Sequence, residues 1–234
     1  MNAARVAFVT GGNRGIGLAI ARGLARVGHH VVLGTRSEAA AVLPVDTLLS
    51  EGLAASAHQL DVTDPASVVR AVADTANEYG RLDILVNAAA VAIDRGQLAS
   101  SVDFEKVQAT LDANLTGTWR CCAAAIPEMR KHRYGRIVNL TSHLGSVSTM
   151  GAGNVSYRVS KAGVNALTRV LAAEVASDGI LVNAVSPGRT ATRMAYGETA
   201  RTPEQAAVAA IELATLPDDG PTGGLWFDGG SLPW

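Results

Sequence analysis

Tyr157 and Lys161 stand four residues apart, in the stretch Ser156-Tyr157-Arg158-Val159-Ser160-Lys161. On a helix, side chains at that spacing share one face. A phenol ordinarily keeps its proton up to a pH of about 10, and a neighbouring ammonium favours the phenolate. The pair therefore reads as an acid–base group usable near neutrality. Ser142 follows the strand-like run 136–140 and stands to reach the same place and polarise a carbonyl oxygen. His143, next to it, raises a hydrolase chemistry, but adjacent residues at a strand end point apart. The chain also has no G-x-S-x-G elbow, so His143 is read as a pocket-rim residue. A Tyr-x-x-x-Lys pair can equally be a solvated surface pair worth roughly a few tenths of a kcal/mol, so its meaning depends on what surrounds it.

A second set of residues suits a nucleotide. Thr10-Gly11-Gly12-Asn13-Arg14-Gly15-Ile16-Gly17 follows an apolar run and precedes a helix-like stretch. Glycines there permit tight turning and let backbone N–H groups approach a pyrophosphate at a helix N-terminus, where the dipole favours an anion. At the end of the next strand an NAD site usually places an acid for the ribose hydroxyls, whereas a basic residue accommodates a 2′-phosphate. This chain reads Leu33-Gly34-Thr35-Arg36-Ser37, without an acid, and Arg36 offers a planar fork matched to phosphate. Arg14 adds a second cation. Unless both are ordinary solvated arginines, NADP(H) is the expected cofactor, ahead of NAD(H). Asp61, before Val62, either faces the adenine amino group or caps a turn.

Elements that could position these groups recur along the whole chain. Runs 5–10, 30–34, 56–61, 84–87, 136–140, 180–186 and 225–228 read as strands, and 15–27, 65–79, 103–130, 156–176 and 203–214 as helices. Val6-Ala7-Phe8-Val9 and Ile84-Leu85-Val86 are continuous apolar runs, as strands covered on both faces require. Asp64-Pro65 and Thr202-Pro203 pair a capping residue with proline in the first turn. The alternation predicts an α/β fold, a doubly wound parallel sheet of about seven strands with helices on both faces. With no repeat or linker, residues 1–234 are expected to form one domain.

Composition narrows the partners. Twenty Lys and Arg balance 21 Asp and Glu, which argues against nucleic acid. No apolar run approaches the ~20 residues of a membrane helix, and the first ten residues lack the layout of a cleavable signal. Cys121 and Cys122 are adjacent and the only cysteines, so neither a disulfide staple nor a metal site is expected. A reducing, cytoplasmic setting is expected.

Together these motifs resemble the short-chain dehydrogenase/reductase family over essentially the whole chain. The resemblance rests on Thr10–Gly17, Asp61-Val62, Asn87-Ala88-Ala89, Asn114, Ser142, Tyr157 with Lys161, and Pro187-Gly188, in that order. It implies a Rossmann-type fold with catalytic Asn114, Ser142, Tyr157 and Lys161. Tyr157 would donate the proton to the substrate oxygen, and Lys161 would hold the nicotinamide ribose and lower the Tyr157 pKa. Ser142 would orient the carbonyl, and Asn114 would keep a water linking Lys161 to solvent. The cofactor is expected on Gly11, Asn13, Arg14, Gly15, Ile16, Gly17, Arg36, Asp61, Val62, Asn87, Ala88, Ala89, Tyr157, Lys161, Pro187, Gly188, Thr190 and Thr192. Runs 31–36 and 202–221 are similar to NADPH-dependent carbonyl reductases, implying reduction of a ketone or aldehyde.

The family's usual Asn-Asn-Ala-Gly appears here as Asn87-Ala88-Ala89-Ala90, and Arg193 stands where carbonyl reductases often carry an acid. Substrate specificity is expected in loops 92–101, 145–155 and 189–201, the last a short lid. His143, Met194 and Tyr196 are expected at the pocket. The resemblance also implies a homotetramer or homodimer through helices 103–130 and 156–176. Two alternatives stay open: an NAD(P)-dependent alcohol dehydrogenase working oxidatively, and a non-catalytic NADP(H)-sensing protein on the same fold.

Overall fold

The computed structural model describes residues 4–195 and 200–234; Tyr196 lies outside the described residues. Its centre is one sheet in the order β3-β2-β1-β4-β5-β6-β7-β8. The strands are β1 (Val6–Thr10), β2 (His30–Thr35), β3 (Ala55–Gln59), β4 (Ile84–Asn87), β5 (Gly135–Leu140), β6 (Ile180–Val185), β7 (Leu225–Phe227) and β8 (Gly230–Ser231). All pairings through β7 are parallel. The eighth strand, two residues after a turn and antiparallel to β7, is too short to leave a periodic signal.

Strand alternation explains the two covered faces. Val6 and Phe8 of β1, with Leu85 of β4 and Ile137 of β5, pack against α3 (Pro65–Tyr79), α5 (Gly117–Lys131) and α6 (Val155–Glu174). Ala7 and Val9, with Ile84, Val86 and Val138, face α1 (Gly15–Arg26) and α7 (Pro203–Ala214) instead. Successive side chains leave a strand on opposite sides, so every residue of β1 is buried.

Both predicted helix starts are capped. The Asp64 carboxylate accepts from the Ala66 amide at 2.9 Å, and Thr202 and Gln205 form a reciprocal capping box. Two stretches differ from the sequence reading. Ala39–Ser50 is a helix, α2, although Pro44 interrupts it and its outer residues Val42, Leu43 and Leu49 are exposed and apolar. Residues 103–130 are α4 (Phe104–Leu111), a π turn (Asp112–Thr116) and then α5, rather than one regular helix. Such turns are frequent at functional sites, and this one contains Asn114.

At the N-terminal edge of the sheet, Asp83 is fully buried and accepts from the Val6 amide and from Arg81 and Arg5. Arg136 is 1% exposed and donates to the carbonyls of Leu216, Gly135 and Gly179. Arg5 and Arg136 both stack on the Tyr134 ring, at 3.7 and 4.1 Å from its centroid. This lattice fixes the sheet end opposite the one that carries the chemistry.

Candidate active site

The connection from β1 runs to β2 on one side, while β4 lies on the other. A doubly wound sheet opens a crevice at such a reversal, beyond the carboxyl ends of the strands. A cleft of about 700 Å³ lies there. It is lined by Gly11, Asn13, Arg14, Gly15, Ile16 and Gly17, by Arg36, Asp61, Val62, Ala88 and Ala89, and by Tyr157, Lys161, Pro187, Thr192 and Met194.

The glycine loop fits a nucleotide diphosphate on its own geometry. Gly11 and Gly15 take φ of +65° and +55°, the left-handed region glycine enters without strain. A Cβ on Gly17 would stand 2.4 Å from the Gly11 carbonyl oxygen, so only glycine lets α1 start this close beneath the loop. The first turn of α1 carries no acid and no side-chain cap, which leaves its amides and positive dipole end for an anion. Asn13 is tied back by its own amide, which reaches the Ala40 carbonyl at 3.5 Å. That carbonyl is the one whose usual helical donor is missing, because Pro44 has no N–H.

Charge along the cleft is uneven. Arg14, Arg36, Arg193 and Lys161 face it, against Asp61 as the one acid among the described lining residues. Asp61 accepts from the amide and hydroxyl of Thr63 at 2.9 and 2.7 Å. Those two bonds, helped by the nearby Arg36 charge, hold its carboxyl below the usual range. Asp61 thus both caps a turn and borders the cleft.

At the other end of the cleft, α6 presents Tyr157 and Lys161. Lys161 is 3% exposed and donates from Nζ to the Leu140 carbonyl at 2.7 Å. Burial pushes its pKa down from 10.5 to about 8. Its ammonium lies 5.8 Å from the centroid of the half-buried Tyr157 ring. Gly145 makes room for this helix, since a Cβ there would stand 2.7 Å from Lys161 Cβ.

Six of the sequence-derived positions lie beside the cleft rather than among its lining residues, Ser142 directly after Thr141 of the lining. Asn114 is fully buried and holds Val91 both ways, accepting from its amide at 2.8 Å and donating to its carbonyl at 2.9 Å. It also donates to Ser160 Oγ at 3.1 Å, and Ser160 Oγ donates to the Tyr157 carbonyl at 2.8 Å. Among the described residues no direct hydrogen bond joins Asn114 to Lys161. Asn87 donates to Asn139 at 2.9 Å and to Cys122 Sγ at 3.3 Å, across the strand ends. Ser142 Oγ accepts from the Leu144 amide at 3.2 Å, which leaves its own proton to donate. The His143 ring pairs with Ser186 Oγ at 2.6 Å and meets Phe227 edge-on. Gly188 makes a left-handed turn, and Thr190 bonds back to Pro187 and bridges to Arg201.

Several contributors carry no motif of their own. Thr10 Oγ1 accepts from the amides of Ala88 and Ala89 at 3.1 and 3.0 Å, so the segment after Asn87 is held despite the missing second Asn. Ala90 does not take a positive φ, so an alanine stands there without backbone strain. The Asp94 carboxylate reaches the amides of Ser156 and Tyr157 from a distant loop. Among the described residues no three His, Cys, Asp or Glu side chains group as a metal site. No described helix is long and apolar enough to cross a membrane.

The model of the family "short chain dehydrogenase" matches residues 5–202. The chain is 41% identical to a 3-oxoacyl-[acyl-carrier-protein] reductase of Synechocystis sp., covering 82% of this chain and 76% of that protein. It is 36% identical to carbonyl reductase [NADPH] 3 of Mus musculus, covering 92% of both. The crystal structure of gox2181 superposes with a TM-score of 0.85 at 34% identity, over 90% of this chain and 88% of that one. Fold, glycine loop, Tyr157–Lys161 pair and relatives lead to one conclusion: the chain belongs to the short-chain dehydrogenase/reductase family of oxidoreductases.

Proposed function

We propose that this protein is an NADPH-dependent reductase of ketones or aldehydes, built as one domain with a short lid at 189–201. The observation that carries the reading is that Tyr157 and Lys161 share a single cleft with the glycine loop and with Arg14 and Arg36. Relatives described as a 3-oxoacyl reductase and an NADPH carbonyl reductase support the direction and the cofactor.

The glycine loop and the α1 amides suit the diphosphate, and Arg36, seconded by Arg14, suits a 2′-phosphate. Pro187 and Thr192 border the nicotinamide end. The reduced nicotinamide, when bound, supplies the hydride. Tyr157 then donates its phenolic proton to the oxygen that becomes the alcohol. The Lys161 ammonium favours the phenolate left behind, and a lysine titrating at about 8 exchanges its proton near neutral pH. Ser142 donates its free hydroxyl proton to the substrate oxygen and polarises it. Asn114 holds α6 and the Val91 loop together, through Ser160.

A second copy of this chain is the expected partner. Phe104 is 77% exposed on α4, Trp119 55% on α5 and Val170 63% on α6, large apolar side chains on the helices expected to pair. We place the protein in the cytoplasm, where the buried free thiols of Cys121 and Cys122 would stay reduced. The test is a carbonyl panel, including a 3-oxoacyl thioester, assayed with NADPH and NADH. A kcat/KM at least tenfold higher with NADPH is expected, and equal use of NADH would overturn the cofactor assignment.

A further inference from the structure

We infer that Asp94 is a positioning residue for the proton donor, its carboxylate capping the catalytic helix from the loop after β4. The helix α6 starts without a cap of its own. Asn154, the residue before it, sits in the left-handed region at φ 49° and ψ 45° and makes no side-chain cap. The first amides of a helix have no partner within it, and here two belong to Ser156 and to Tyr157 itself. Asp94 Oδ2 accepts from both, at 2.7 and 3.3 Å, across 62 and 63 residues of sequence. The carboxylate is 1% exposed. A negative charge at this end of a helix is favoured by the dipole, and a charge-assisted bond to an amide is stronger than a neutral one.

The clamp is double. Asn154 Oδ1 returns a bond to the loop, accepting from the Gly96 amide at 2.7 Å, and Gly96 turns there at φ +72°. Between these two ties, Arg95 donates to the Met194 carbonyl at 3.1 Å, on the segment that follows Thr192. Three consecutive residues of this loop therefore fix the start of the catalytic helix and touch the segment that follows Thr192. Asp94 Oδ1 is buried with no hydrogen-bond partner among the described residues. A neutral cap supplied by residue 154 would satisfy the same amides without burying a charge. What Asp94 supplies beyond such a cap is a fixed distance between the β4 loop, which borders the cleft at Ala90 and Val91, and the Tyr157 backbone. Proton transfer depends on that distance, because a displacement of about 1 Å costs roughly a hundredfold.

The inference rests on the reading of Tyr157 as proton donor, so Tyr157→Phe is assayed beside the Asp94 variants. Asp94→Ala is expected to lower kcat at least tenfold while the NADPH Kd, set at the far end of the cleft, stays within twofold. Asp94→Asn keeps an acceptor for the Ser156 amide, and its kcat is expected within fivefold of wild type. An Asp94→Ala kcat within twofold of wild type overturns the inference, as do parallel losses of kcat and NADPH affinity, or an Asn variant no better than Ala. If Tyr157→Phe keeps full activity, the failure lies with the proton donor and the inference falls with it. Amide exchange on Asp94→Ser, whose shorter side chain withdraws the acceptor from the Ser156 and Tyr157 amides, decides the case should Asp94→Ala not fold. Faster exchange at 155–158 than in wild type, with the glycine loop unchanged, supports the clamp; equal rates at 155–158 refute it.

Discussion

Lys161 is where the proposed chemistry and the stability of the fold pull in opposite directions, and Lys161→Met separates them. The side chain is 3% exposed, and burial lowers its pKa from 10.5 to about 8. A site that displaces a lysine this far disfavours its ammonium by about 3 kcal/mol. Methionine fills a similar space without charge. Its cost is the Leu140 carbonyl, which loses the 2.7 Å bond from Nζ and with it about 1–2 kcal/mol. At pH 7, without cofactor, Lys161→Met should therefore be the more stable protein by about 1–2 kcal/mol, a rise of roughly 2–8 °C in Tm for a chain of this size. The pH dependence follows in sign. Below about 8 the lysine is charged in both folded and unfolded chains, and the full penalty acts on the wild type. Between about 8 and 10.5 the folded chain has lost the proton that the unfolded chain still holds, so wild-type stability rises with pH and the advantage of methionine shrinks. Above that window only the lost bond remains, and the order reverses. Thermal melts of both proteins across the window measure this, and carbonyl reduction by the variant should be down by about 10²–10⁴. A variant that melts below wild type at pH 7, or a gap that does not narrow toward alkaline pH, would refute the argument.

The other predictions concern the cofactor end and the frame. Arg36→Asp would remove the proposed charge-assisted contact to a 2′-phosphate, worth about 1.5–3 kcal/mol; NADPH kcat/KM should fall roughly ten- to a hundredfold, and an unchanged value in initial-rate assays would place the phosphate elsewhere. Gly17→Ala forces a Cβ to within 2.4 Å of the Gly11 carbonyl, so NADPH affinity measured by fluorescence should weaken at least tenfold. Arg136→Met leaves three carbonyls without their buried donor. A loss of about 3 kcal/mol is expected with kcat intact, since the Asp218 partner is itself exposed and the cleft is at the other sheet end; denaturant melts beside a rate assay check both halves.

What could be read ahead of the structure was local. The strands around Phe8 and Leu85 announce themselves as unbroken apolar runs because both faces of the sheet are covered. Asp64 and Thr202 mark their helices because capping is a contact between near neighbours. Helix α2 was hidden because Pro44 and an apolar outer face obscure its period, and the π turn because one extra residue per turn leaves the pattern of 103–130 nearly intact. Asn114 falls on that turn, where its carboxamide serves Val91 and Ser160, a pairing no spacing rule gives. Asp94 was invisible for the same reason: its partners are 62 and 63 residues away, and a loop aspartate has no signature until the helix it caps is in place. Arg193 read only as a departure in the lid, whereas the structure sets it along the cleft with Arg14 and Arg36.

Tyr157 as proton donor is tested by comparing wild type with Tyr157→Phe, in steady-state NADPH oxidation with a reactive ketone and in NADPH binding by fluorescence. Wild type is expected to turn over and the variant to lose at least a hundredfold in kcat, with NADPH Kd within a few fold. Turnover by the phenylalanine protein at the wild-type rate, or no oxidation by wild type with any carbonyl in the panel, would contradict it.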